Sequence, residues 1–440
     1  MRHGREAHFQ SELLGRADCY PRGMLSFTLL SLLALSTGSN ETDWPAWRGP
    51  AGNGVATTGA PLRWDAETNV KWRTPLPRPA NGSPIVSGDS VFLTLAEDEE
   101  GKRRSLYAFA RADGALRWVR TVEHDEVMPT HSTNPYGGST PASDGERVFV
   151  WHASAGLHAY DHAGEALWEQ ELGTFRHVWG YGTSPVVHEG RVFLNTGPGE
   201  NQFLAAFDAA SGEELWRQVE PETRSAEELE SGRYAASWSS PLIVPGAERT
   251  LVVCGMPDRV VAYDAQDGEL VWSCAGVRGT RGDLTYSTPV VAGDVCVAIG
   301  GWEGPILGVR LGGEGEVTDS HRLWRHPDQM SNCASGVFAD GHVFVPDMGG
   351  TLWCIEPESG ELLWRKRAGR GGTWSSPVLV GERIYLTDQN GTTRVFRASA
   401  ADWEQLAENA LGEETNATPA VAGGELFLRT HEALWCIAED

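Results

Sequence analysis

The chain has 440 residues, 40% of them hydrophobic and 22% charged, with a formal net charge of −24. That composition suits a soluble globule, built as two or three ordinary domains or as one large repeat array. The negative balance repels nucleic-acid phosphates and anionic membrane surfaces, so neither is an expected partner.

In chain order, the first forty residues stand apart. Met24–Ser36 reads MLSFTLLSLLALS, with Arg16 and Arg22 before it and Gly38 and Ser39 after it. Basic flank, short apolar run and small residues are the layout of a secretory signal peptide. The run is too short to span a bilayer unaided. Residues 1–40 are therefore expected to be a leader, with Met24 as a second candidate start. The expected location is exported, periplasmic or in the cell envelope. No cysteine follows the apolar run to carry a lipid anchor, and no membrane-spanning candidate follows residue 40. Residues 41–440 are expected to form a single domain and a monomer.

Cys19 lies in the leader, and six cysteines remain: Cys254, Cys274, Cys296, Cys333, Cys354 and Cys436. An even number in an exported chain permits disulfides. The apolar flanks of several (LVVCG, DVCVA, LWCI) equally suit buried free thiols.

From residue 83 onward two signals alternate. The first is Ser/Thr-Pro followed by small or β-branched residues: SPIV at 83–86, TPAS at 140–143, SPVV at 184–187, SPLI at 240–243, TPVV at 288–291, SPVL at 376–379 and TPAV at 418–421. SGVF at 335–338 is a degenerate copy. The second is a turn ending in tryptophan, as in SGEELW at 211–216 and SGELLW at 359–364, with Trp118, Trp168, Trp272 and Trp324 closing further copies. ADWEQL, ending at Leu406, is a decayed version. The spacing is near 48 residues, the period of a propeller or solenoid.

Within one unit the period-2 pattern resolves into strands. In 184–216, SPVV, RVFLNT and FLAAFD are three strands joined by polar turns, and LW opens a fourth. Four antiparallel strands with tight turns make a propeller blade. The expectation is an all-β, eight-bladed β-propeller of four-stranded antiparallel blades. The last unit stops after its third strand, and NVKW at 69–72 is a spare strand before the first blade. It is expected to pair with the last blade and close the ring, removing sheet edges that invite aggregation. Trp72, Trp118, Trp168, Trp216, Trp272, Trp324 and Trp364 are expected to pack between neighbouring blades, against small third-strand residues such as Ala159, Ala206 and Ala262. The turn glycines are expected to supply a backbone conformation other residues resist.

The pattern A-x-D-x-x-x-G-x-x-x-W, as in AYDAQDGELVW at 262–272, resembles the tryptophan-docking repeat of the PQQ-like β-propellers. That superfamily holds the quinoprotein alcohol dehydrogenases and the outer-membrane assembly scaffold BamB. WPAWRGPAGNG at 44–54 is similar to the opening of many exported bacterial PQQ-like repeat proteins. The resemblance is specific for fold and weak for function.

The dehydrogenases hold pyrroloquinoline quinone (PQQ) under adjacent bonded cysteines, bind calcium through Glu and Asn, and use an Asp as general base. This chain has no adjacent cysteine pair. Asp283, Glu303 and Asn195 are candidates by residue type only. No nucleophile elbow, P-loop or dinucleotide fingerprint is complete. His124 and His131 share a loop without a standard metal spacing. The acid-rich segment 220–230 reads as a solvated excursion. No cofactor, metal or catalytic residue is therefore expected. PQQ with calcium is the alternative.

Loop lengths break the symmetry. Links from a fourth strand to the next first strand all emerge on one face. There they include EHDEVMPTHSTNPYGG, GTFRHVWGYG and ESGRYAASW, while the opposite face has short polar turns. Function belongs on the decorated face. Three residues before each blade proline (or Gly336) stand Asn81, Gly138, Gly182, Trp238, Tyr286, Cys333, Trp374 and Asn416, which should ring the mouth of the channel. Trp238, Tyr286 and Trp374 either plug the funnel or form a ligand platform. Asn134, Tyr136, Arg176, His177, Arg278, Arg281, Asp283, Asn332 and Asn416 are candidate polar partners, and their mix of cations and amides points to a polar or anionic ligand. The expected function is an exported, non-catalytic scaffold or binding propeller for envelope proteins, similar to BamB. The alternatives are a PQQ-dependent dehydrogenase and a propeller binding a small polar or carbohydrate ligand.

Overall fold

The computed structural model describes residues 42–199, 202–220 and 234–439. The leader, Cys19 and the acid-rich segment from residue 221 lie outside them.

The third repeat shows how a unit folds. Val186–His188, Arg191–Asn195, Phe203–Asp208 and Glu214–Val219 form one sheet in sequential antiparallel order. Glu189 and Gly190 make the first turn, both at positive φ (46° and 73°). Paired positive φ values match the right-handed twist of the flanking strands. Eight such blades follow one another, within residues 85–123, 142–170, 186–219, 242–275, 290–330, 337–367, 378–410 and 420–437. Two gain a short parallel fifth strand: Gly315–Glu316 on the fourth blade and Val55–Ala56 on the seventh. The core lies between blades, where Phe149 and Trp151 of one meet Val192 and Phe207 of the next.

The ring closes as the spare strand predicts. Val70–Pro75 pairs antiparallel with Ala433–Ile437 and completes the eighth blade, with Trp72 opposite Cys436.

The tryptophan repeat has two contacts. Within its own sheet each ring stands opposite a small third-strand residue, as Trp168 does Ala159 and Trp216 does Ala206. Across the seam it lies on the turn glycine of the following blade. A Cβ on Gly212 would meet the Trp168 ring at 2.6 Å, and one on Gly268 the Trp216 ring at 2.5 Å. The indole N–H of each then donates to a carbonyl of that turn, Ala209 at 3.0 Å and Ala265 at 3.2 Å. The small residue is thus the partner within the sheet, and the glycine is the partner between blades.

Three units depart from this pattern. The turn that Trp364 faces has no glycine, and its indole donates to the Ala400 carbonyl there at 3.1 Å. Trp272 is fully buried, but its indole N–H has no acceptor among the described residues. Gly315, part of the longer link in the fifth blade, stands opposite it instead of a tight turn. In the seventh blade a bulge skips Leu406 and puts Ala407 opposite Val395, so Ala407 occupies the tryptophan register. There Trp64 of the N-terminal arm stacks on Tyr385 at 6.3 Å, and its backbone N–H donates to Asn409.

The rest of that arm crosses the ring. Trp44 bridges Val86 of the first blade, and the Pro45 carbonyl accepts from Ser143 of the second. Arg48 donates to the Gly336 carbonyl of the sixth, and the Gly54 carbonyl accepts from Leu379 of the seventh. Among the described residues all six cysteines are free.

Candidate functional site

The Ser/Thr before each blade proline builds the centre of the molecule. First strands run along the axis with no strand on their inner side, so proline there costs no ladder bond. The N–H of the preceding Ser or Thr reaches sideways to the matching hydroxyl of the next blade. Ser83 donates to Thr140, Thr140 to Ser184, Ser184 to Ser240, Thr288 to Ser335, Ser335 to Ser376, Ser376 to Thr418, and Thr418 back to Ser83, at 2.9–3.0 Å. Between Ser240 and Thr288 the link reverses, the Thr288 hydroxyl donating to the Ser240 carbonyl at 2.8 Å. The result is a closed girdle of eight hydroxyl residues. The copy lacking proline keeps its serine. A Cβ on Gly336 would meet the Phe344 carbonyl at 2.9 Å, which accounts for glycine there.

A cavity of about 350 Å³ stands on this girdle. All eight register positions line it: Asn81, Gly138, Gly182, Trp238, Tyr286, Cys333, Trp374 and Asn416. Five girdle residues and Trp47 of the N-terminal arm also line it. Trp179, Trp302 and Met348 extend one wall. Arg48, fully buried beside Trp47, is pushed down to about 9 by burial and stays cationic at neutral pH.

One wall is aromatic. A parallel strand pair, Tyr234–Ser237 beside Gly282–Thr285, delivers Trp238 and Tyr286 as the next residues along each segment. Their rings lie 5.1 Å apart. Trp179 contacts Trp238, Tyr234 and Trp302. The Trp238 indole donates to the Gly180 carbonyl at 3.0 Å, and His177 packs edge-on against its ring at 4.8 Å. Burial pushes the His177 imidazole down to about 4, so it is neutral at neutral pH. Its Nδ1 accepts from the Trp179 backbone at 3.3 Å, which puts the proton on Nε2. Burial raises the Tyr286 phenol and pushes the Cys333 thiol up to about 12, so neither is an activated nucleophile.

The other wall is a chain of amides. Gln389 donates to Asn416, Asn416 to Asn81, Asn81 to Asn134, and Asn134 to the Trp179 and Tyr181 carbonyls. Their acceptor oxygens are thereby engaged.

The remaining candidate residues lie outside the wall. Tyr136 donates to the Met128 carbonyl, and its ring lies beside Arg104. Arg176 pairs with Glu126 at the surface. Arg278 pairs with buried Asp283 at 3.0 Å, and Arg281 with Glu303 at 3.0 Å. Asn332 is buried and donates to the Pro346 carbonyl at 2.6 Å. The cations that pointed to an anionic ligand are thus held by carboxylates. The sequence signal that was missed is the Ser/Thr of the repeat, read only as a marker.

A quinone cofactor with calcium does not suit this cavity. PQQ carries three carboxylates, and among the described residues the wall contains no Arg or Lys to meet them. It contains no Asp or Glu for calcium, which takes oxygen ligands. Among the described residues no group of three or more His, Cys, Asp or Glu is placed to hold a metal. Asn195, a residue-type candidate, is buried in bonds to Ser237, Ser239 and Gln202.

A family model described as outer membrane protein assembly factor BamB matches residues 54–136, 102–301 and 313–434. The outer membrane protein assembly factor BamB of Yersinia pestis is 23% identical over 405 residues, 86% of this chain and 91% of that protein. Among solved structures, BamB from Moraxella catarrhalis aligns with a TM-score of 0.56 at 15% identity, over 84% of this chain and 96% of that one. A europium-containing methanol dehydrogenase aligns with a TM-score of 0.63 at 11% identity, over 91% and 98%. At such identities the structural matches speak for the fold alone.

Proposed function

We propose that this chain, which belongs to the outer membrane protein assembly factor BamB family, is an exported, non-catalytic scaffold that holds a protein partner of outer-membrane assembly on its loop-bearing face. One observation carries the reading: the two faces of the ring differ. Long links between blades crowd one face, and two of them present Val127 and Val178, each about half exposed (51% and 44%). Apolar side chains exposed on neighbouring loops, rimmed by charge, are a usual sign of a protein contact. Glu126 and Arg176, adjacent to them in sequence, supply that rim. The opposite face offers short polar turns such as His188–Gly190. A wall with no Asp, Glu, Lys or Arg among its described residues favours the scaffold over the dehydrogenase reading. Among the described residues no helix is long and apolar enough to cross a membrane.

The test is affinity capture from mildly solubilised envelopes, comparing the parent chain with the Val127→Asp/Val178→Asp double variant. The expected result is capture of outer-membrane assembly proteins by the parent. The double variant should recover about tenfold less, with unchanged melting. Equal capture by both, or capture of unrelated proteins alone, contradicts the proposal.

A further inference from the structure

We propose that the girdle cavity is a binding site for a neutral saccharide, a role that stands apart from the scaffold reading and uses different residues. The first argument is charge. Among the described residues, no Asp, Glu, Lys or Arg lines the cavity. The buried cation Arg48 stands beside Trp47 and not in the wall, so an anionic ligand would be desolvated with no Lys or Arg among the described lining residues to pair with it.

The second argument is the sense of the unused hydrogen bonds. Seven girdle hydroxyls accept a neighbour's N–H, and no described protein acceptor takes their own proton. Five of those seven residues line the cavity: Ser83, Thr140, Ser184, Ser240 and Thr418. Above them, the Trp374 indole N–H and the Tyr286 hydroxyl also lack a partner among the described residues. The asparagine oxygens of the wall each already accept one amide N–H, and no girdle hydroxyl donates to them. A purely apolar ligand would strand the donors at a desolvation cost. The occupant must carry acceptor oxygens.

The third argument is shape. The volume falls at the low end of the roughly 300–1,000 Å³ typical of small-molecule sites. Trp47, Trp374, Trp238, Tyr286 and Trp302 supply aromatic surface. A pyranose has apolar C–H faces that pack on indole and a rim of oxygens that accept from hydroxyls. It satisfies both demands in an uncharged molecule.

The experiment is calorimetric titration of the purified full chain with glucose, N-acetylglucosamine, cellobiose and maltose, with glucuronate and indole as contrasting probes. The expected result is saturable binding of at least one neutral sugar. Trp374→Ala should weaken it about tenfold, and Tyr286→Phe, which keeps the ring, about fivefold. If Trp374→Ala fails to fold, Tyr286→Phe decides. The proposal is overturned by no saturable binding of any neutral sugar up to millimolar concentration. It is equally overturned if glucuronate or indole binds as well as the best sugar, or if affinity is unchanged in the folded variants.

Discussion

Removing residues 1–75 is expected to convert a closed ring into an aggregating chain. The deletion takes away Val70–Pro75, the outer strand of the eighth blade. The strand left behind, Ala433–Ile437, is buried along its whole length and would become an open apolar edge. Such edges template pairing with other chains. The deletion also removes Trp44, Trp64 and Trp72, each less than a tenth exposed. Trp72 is one of the residues that tie the eighth blade to the first: its indole donates to the Arg111 carbonyl at 3.0 Å and its ring covers Gly114. Trp72→Ala in the full chain should therefore cost about 3–5 kcal/mol. Urea denaturation should show a lower midpoint with an unchanged slope. Light scattering after size exclusion checks the truncation. A monomeric truncated chain with the parent's melting temperature would falsify closure through this strand.

Gly268→Ala should be far more damaging than an ordinary glycine substitution, although it adds a single methyl. Gly268 has φ +75°, where a Cβ costs about 1–2 kcal/mol. The added atom would also fall 2.5 Å from the buried Trp216 ring. Neither the ring nor the turn can retreat without opening the seam between blades, and overpacking of that kind costs about 1–3 kcal/mol more. Gly190 separates the two effects. Its φ is +73°, but no atom lies within 4 Å of a Cβ built there. Gly190→Ala should lose only the backbone part. In a Trp216→Ala background Gly268→Ala should fall to the Gly190→Ala value, a coupling that a double-mutant cycle measures directly. Equal losses at the two glycines in the parent chain would mean the turn, and not the docking contact, dictates glycine.

Those two predictions also mark what was legible in the sequence. Blade number, strand order and closure follow from a 48-residue period, alternating strands and one spare strand, all of them local patterns. The ring of eight positions around the cavity follows from the same register. Contacts between repeats were not legible. Ser83 and Thr140 look like markers until the fold sets them 2.9 Å apart across 57 residues. Trp47 and Arg48 carry no sign that the arm crosses the ring to reach Gly336. Arg278 and Arg281 looked available for a ligand because composition does not reveal the carboxylates that hold them. Leu406 was read as the end of the decayed motif, but the turn before it is longer than in the other blades, and the bulge common to them skips Leu406 as it skips Leu215, leaving Ala407 in the tryptophan register.

The proposed use of the loop-bearing face can be read most directly by placing a photo-crosslinking residue at Val127 and Val178 on that face. Controls are Glu189 and Asp113, exposed in turns on the other face. In intact cells, illumination should join the first two positions to an outer-membrane assembly protein and leave the controls uncrosslinked. Adducts forming only at Glu189 or Asp113 would contradict the account and place the partner on the short-turn face.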